Sequence, residues 1–247
     1  MLLTALLTLS ATALADEVVQ KVASQRIFFG HQSVGANILD GVDDVTSGKL
    51  PVREGRTGEL LSTPGLLHAR LGQNEAPLTK LADFEAAVDG LAGRVDLAFF
   101  KFCYVDFDAR TDVDALFAAY LATHERLAKK HPRVTFVHVT VPLTVVPRAA
   151  KAWLKQSLTR AAPWGAKENE VRHRFNTLLR ARFEGQRVFD LAALESTRPD
   201  GTASTYEHAD KTLPALVPAY SDDGQHLNAV GRQRVAEALL TFLARAP

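Results

Sequence analysis

The sequence predicts an α/β fold in which a parallel sheet is covered by helices on both faces. Short runs rich in β-branched and aromatic residues alternate with segments whose apolar residues recur at helical spacing. The strand candidates Val95–Phe102 (VDLAFFKF) and Val134–Val141 (VTFVHVTV) are almost continuously apolar, as strands buried on both faces are. No internal repeat, low-complexity tract or Pro/Gly-rich linker divides the chain, so residues 16–247 read as a single domain.

Taken in order, Leu2 to Leu14 is apolar or small, and Ala13-Leu14-Ala15 offers the small-x-small pattern of a signal-peptidase site. The expectation is a signal peptide at 1–15, a mature start at Asp16, and a secreted or periplasmic protein, although no Lys or Arg precedes the apolar run. The run is too short to span a membrane. Arg26–Gly30 (RIFFG) reads as the first strand, with a helix from Val34 through Ile38 and Leu39 after it. A weaker strand is expected near Leu50–Arg53. Glu54–Ala76, with four glycines and Pro64, reads as a long irregular connection. After the Val95–Phe102 strand, Thr111 is a good helix N-cap for the stripe Val113, Leu116, Phe117, Tyr120 and Leu121. The Val134–Val141 strand is closed by Pro142. Val171, Phe175, Leu178 and Leu179 mark the next helix, Arg187–Leu191 the fifth strand, and Val235, Leu239, Phe242 and Leu243 the last helix.

Composition narrows the function. The residues are 47% hydrophobic and 23% charged with a formal net charge of +1, so nothing draws the molecule to nucleic acid or an anionic membrane. Small neutral or mixed-charge substrates suit it better. Cys103 is the only cysteine, which rules out an intramolecular disulfide, and no Cys/His spacing suggests a metal site. No cofactor is expected.

Two motifs carry chemistry. Gly30-His31-Gln32-Ser33-Val34-Gly35 follows the first strand and opens a helix, at the strand end where open α/β sheets bind ligands. A serine there lies near the positive end of a helix; the plainer reading is that Ser33 only caps it. Near the C-terminus, Asp223-Gly224-Gln225-His226 places a carboxylate three residues ahead of a histidine. That carboxylate can accept the Nδ1 proton and leave Nε2 free to take a proton from a serine. The alternative is a surface turn whose side chains only cap, with Asn228 as helix N-cap.

Together the motifs resemble the SGNH/GDSL hydrolase superfamily, which carries a Gly-Asp-Ser block after the first strand and an Asp-x-x-His block before the last helix. Phe175-Asn176 followed by Val188-Phe189-Asp190-Leu191 resembles the pre-terminal segment of many members. The resemblance implies a flavodoxin-like three-layer α/β/α sandwich of about five parallel strands. It further implies Ser33 as nucleophile, His226 as base and Asp223 as its orienting partner. The sequence departs from the family pattern in two places: GHQS has one extra residue between Gly and Ser and lacks the Asp, and Lys101-Phe102-Cys103-Tyr104-Val105-Asp106 stands where Gly-x-Asn-Asp is usual. Oxyanion donors are therefore expected from Ser33 N–H, Gly72 and the Asn74 side chain, unless Gly72-Gln73-Asn74 is only a turn. Lys101 is expected to bind substrate or pair with Asp106, His31 to line the cleft, and Cys103 to be a small buried residue. The implied activity is hydrolysis of esters, O-acetyl groups on an extracytoplasmic carbohydrate or a small-molecule ester. An O-acyltransferase with the same triad and a non-catalytic glycan-binding protein are the alternatives.

Overall fold

The computed structural model describes residues 16–91, 93–147, 165–184 and 187–246; the segment read as an export signal lies outside them. In chain order the elements are β1 (Arg26–His31), α1 (Ser33–Thr46), β2 (Val52–Glu54), β3 (Gly65–Arg70), α2 (Pro77–Gly90), β4 (Leu97–Phe100), α3 (Val113–Lys130), β5 (Thr135–Val139), α4 (Ala166–Arg182), β6 (Val188–Phe189), α5 (Leu191–Ser196), β7 (Thr205–His208), β8 (Lys211–Pro214) and α6 (Ala229–Leu243). Strands β1 to β6 form one parallel sheet in the order β2-β3-β1-β4-β5-β6, and β7 and β8 form a separate antiparallel hairpin.

Strand alternation builds the three layers. Ile27 and Phe29 of β1, Leu97 and Phe99 of β4, and Val137 and Val139 of β5 pack on one face with α1, α5 and α6. Phe28, Ala98, Phe100 and Phe136 point the other way, against α2, α3 and α4. Both faces are buried, which is why these strands read as continuous apolar runs. Each large side chain so enclosed contributes on the order of 1.5–3 kcal/mol.

The sheet has six strands, one more than the sequence predicts, because the Glu54–Ala76 connection contains β3. Its sequence, GLLHAR, is short, opens on Pro64-Gly65 and holds no β-branched residue. Burial between β2 and β1 makes it a strand, so placement overrides propensity. Helix α2 also had no strong signal; Pro77 begins it, where a missing N–H costs nothing. The N-cap of α3 is Asp112, whose side chain accepts from Ala115 N–H at 3.0 Å, one residue past the expected Thr111.

Two consequences position the site. Parallel pairing brings the exits of β1, β3, β4 and β5 to one edge. Helices α1 and α6 also pack directly together: a Cβ on Gly41 would lie 2.5 Å from the Arg232 carbonyl oxygen. Val34, Ile38 and Val42 share that core with Val235 and Leu239. The start of α1 is therefore fixed relative to the turn that leads into α6.

Candidate active site

Ser33 is the first residue of α1, half-buried, and preceded by the extended N-cap Gln32. The glycines around it serve close approach. A Cβ on Gly30 would meet Leu71 Cδ1 at 2.1 Å, and one on Gly35 would meet His31 Cβ at 2.2 Å, so the His31 ring lies over Gly35. Gln32 donates through Nε2 to the carbonyls of Leu71 (3.1 Å) and Gly72 (3.0 Å), tying the Ser33 loop to the exit of β3.

His31 is buried, stacks on Phe29 and is hydrogen-bonded through Nε2 to His68 Nδ1 at 3.0 Å. Burial, followed by the charge of His68, pushes its pKa down to about 3. His31 is thus a neutral framework residue packed over Gly35. His68 belongs to β3, and burial lowers its pKa as well.

The second motif folds as a self-contained turn. Asp223 Oδ2 accepts from His226 Nδ1 at 2.7 Å, while Oδ1 accepts the backbone N–H groups of Gln225 and His226, each at 2.8 Å. Ser221 Oγ adds a donor to Oδ1 at 3.1 Å. Partial burial alone would raise the carboxyl's pKa; the His226 backbone and ring and the Gln225 N–H outweigh it and hold the group well below the usual carboxylate range. With Nδ1–H committed to Asp223, His226 presents Nε2 as an acceptor. Asn228 caps α6 by accepting from Gly231 N–H at 3.1 Å. Capping and imidazole orientation coexist in this turn.

Ser33 and His226 meet the same dipeptide. Ser33 Oγ lies 4.0 Å from Cys103 Sγ, and His226 Nε2 lies 3.4 Å from the hydroxyl of Tyr104, with the two rings edge to face. Ser33 Oγ and His226 Nε2 are not hydrogen-bonded to each other among the described residues; the Tyr104 hydroxyl holds the acceptor instead. Without substrate such bonds are often loose.

The expected oxyanion donors divide. Gly72 N–H donates to Asp83 Oδ2 at 2.7 Å, so that amide is already used to anchor its loop. Asn74 is exposed, and its Oδ1 accepts from Lys80 Nζ at 3.0 Å. An ammonium only donates, so this contact fixes which way the amide points and leaves Nδ2 without a partner among the described residues. Lys80 in turn pairs with Asp106 at 2.6 Å, both side chains at most 1% exposed. Asp106 also accepts from Glu75 N–H (3.1 Å) and Cys103 N–H (2.6 Å). One buried ion pair therefore joins the exits of β3 and β4.

Lys101 departs from its expectation. It is 1% exposed, does not reach the cleft, and does not pair with Asp106, which Lys80 has taken. Its Nζ donates to the Phe102 carbonyl at 3.2 Å and toward Cys103 Sγ at 3.6 Å. Cys103 is fully buried beneath Ser33. Sequence reasoning missed Lys80 and Arg172, which lie on helices far from either motif. Tyr104 and Asp106 fall within the Lys101–Asp106 block, where nothing in the sequence alone ties them to the nucleophile. No group of three or more His, Cys, Asp and Glu among the described residues is arranged to hold a metal, and no helix among them is long and apolar enough to cross a membrane.

No family model matches the sequence, and no curated protein is similar to it. Among solved structures, the chain is similar to a Streptococcus pneumonia protein described as a platelet activating factor, at 16% identity and a TM-score of 0.51 over 97% of this chain and 98% of that one. A G-D-S-L family lipolytic protein from Desulfitobacterium hafniense aligns at 9% identity and TM-score 0.47, over 88% of this chain and 99% of its own. An acetylxylan esterase from Geobacillus stearothermophilus aligns at 11% identity and TM-score 0.41, over 90% and 94%. The first likeness runs through nearly the whole chain and is one of fold.

Proposed function

We propose that the protein is a serine esterase that removes O-acetyl groups from an extracytoplasmic carbohydrate through an acyl-enzyme. The observation that carries this reading is the 2.7 Å contact between His226 Nδ1 and Asp223, which leaves Nε2 turned toward the dipeptide that Ser33 abuts. In the reaction, His226 Nε2 leaves the Tyr104 hydroxyl and takes the Ser33 proton while Oγ attacks the ester carbonyl. The tetrahedral oxyanion is met by Asn74 Nδ2 and by Ser33 N–H, an orphan donor of the first helical turn. His226 then hands its proton to the departing alcohol, and a water, deprotonated by the same nitrogen, releases the acid. Gly72 is left out, its N–H being committed to Asp83.

A fluorophosphonate probe tests the reading directly. Stoichiometric labelling at Ser33 is expected, lost in Ser33→Ala and His226→Ala and strongly slowed in Asp223→Asn, where the imidazole loses its anionic acceptor. A folded wild-type protein that takes no label would sink the esterase and favour a glycan-binding role. Export is part of the proposal and is checked by N-terminal sequencing of protein recovered outside the cytoplasm, with Asp16 the expected first residue.

A further inference from the structure

Beside His226 lies a cavity of about 500 Å³, within the usual range of small-molecule sites, whose walls include Tyr104, Phe107, Glu75, Glu168, Arg172 and Gln225. Arg172 stands out among them. It is only 4% exposed, yet its hydrogen bonds all go to neutral acceptors: Nε to the Tyr104 carbonyl (3.0 Å), and Nη1 to Thr144 Oγ1 (3.0 Å) and Asn169 Oδ1 (2.6 Å). Nη2 has no partner among the described residues. Burial lowers the guanidinium only to about 10, so it stays charged near neutral pH. Of the carboxylates nearby, Asp106 is taken by Lys80 and Asp108 by Arg110. Glu195 is pushed up to about 8 by burial and is mostly protonated at neutral pH. A buried cation without a contacting anion is costly, and the open Nη2 is where a planar oxyanion would relieve that cost.

The remaining wall groups describe the rest of the ligand. Glu168 is the charge that most favours the Arg172 guanidinium but, like Glu75, forms no ion pair with it, and both are suited to accept from hydroxyl groups. The Tyr104 hydroxyl is 3.4 Å from His226 Nε2, so the cavity begins at the proposed base. We propose that this cavity is the subsite for an acidic sugar, with the carboxylate of a uronate on Arg172 Nη2, its hydroxyls on Glu75 and Glu168, and its O-acetyl ester presented to Ser33. Only the last clause rests on the esterase reading.

The test compares a mono-O-acetylated methyl glucuronoside with the same compound carrying its carboxylate capped as a methyl ester. Wild type should prefer the free acid in kcat/KM by about tenfold or more, the scale of one charge-assisted hydrogen bond. Arg172→Gln should bring that ratio toward one, and Arg172→Lys, which keeps charge but not the fork, should fall between. Equal rates on the two compounds in wild type would overturn the subsite without any variant. If neither is hydrolysed, methyl glucuronoside is titrated into the Ser33→Ala protein by NMR. Binding that Arg172→Gln abolishes, with the thermal melt confirming a folded variant, would keep the subsite while the esterase fails. No binding would overturn the subsite as well.

Discussion

The two halves of the candidate site are built by different means. Around Ser33, position depends on groups distant in sequence: Gln32 on the carbonyls after β3, His31 on His68, and Ser33 itself on Cys103. Around His226 the bonds that orient the imidazole lie within Ser221–His226, in a turn closed by the Asp223 and Ser221 side chains. Among the described residues, only Val145 N–H, on the Gly224 carbonyl, and the Tyr104 hydroxyl reach in from distant segments. Substitutions on the first side should therefore cost stability as well as turnover. On the second they should cost turnover and little stability.

The largest effect is expected at Lys80. Lys80→Met leaves Asp106 charged and buried without its partner, a loss of about 3–5 kcal/mol in urea unfolding. Asn74→Ala, at an exposed position, should cost little stability but, on the proposed mechanism, on the order of 10²–10³ in kcat. If Lys80 acts on turnover by aiming that amide, adding Lys80→Met to Asn74→Ala should not lower kcat further. An additive loss would mean that the ion pair serves the loops in another way. Gly35→Ala comes next, since its Cβ would collide with the His31 ring; an overpacking cost of about 1–3 kcal/mol is expected in the thermal melt.

Acid sharpens the same contrast. His31 and His138 are both pushed down to about 3, chiefly by burial. In the unfolded chain each takes a proton near pH 6.5, while the folded protein does not. Stability from these two residues should therefore fall as pH drops from about 6.5 toward 3, by about 1.4 kcal/mol per pH unit for each. His31→Gln should remove one share of that slope, and a slope unchanged in the variant would contradict a neutral, buried His31. The smallest effect belongs to the exposed turn. Ser221→Ala removes a donor to Asp223 and an acceptor for Gly224 N–H, and should cost no more than about 1–1.5 kcal/mol. A greater loss would contradict so small a share for Ser221.

The same difference decides what could be read from the sequence. The Asp223–His226 turn was legible because its partners are three residues apart. Strands β1, β4, β5 and β6 were legible because apolar runs and the two-residue alternation declare buried strands. Strand β3 was hidden by Pro64-Gly65 and a lack of β-branched residues, and only its neighbours make it a strand. Lys80 looks like any helical lysine until Asp106 is placed against it. Lys101, at a strand end, looked fit to reach the cleft; the fold turns it inward, toward Cys103 and the Phe102 carbonyl. Residues whose roles depend on distant partners are the ones that patterning does not show.

The packing of α1 against α6 also bears on biosynthesis. The strand and helix that carry Ser33 leave the ribosome well before the histidine turn and α6. A nascent chain can hold the serine loop without its base, and the close fit of Gly41 to the Arg232 backbone waits for the final helix. On the proposed mechanism, the growing chain would have no activity to regulate. Competence would arrive in a single step, when α6 docks.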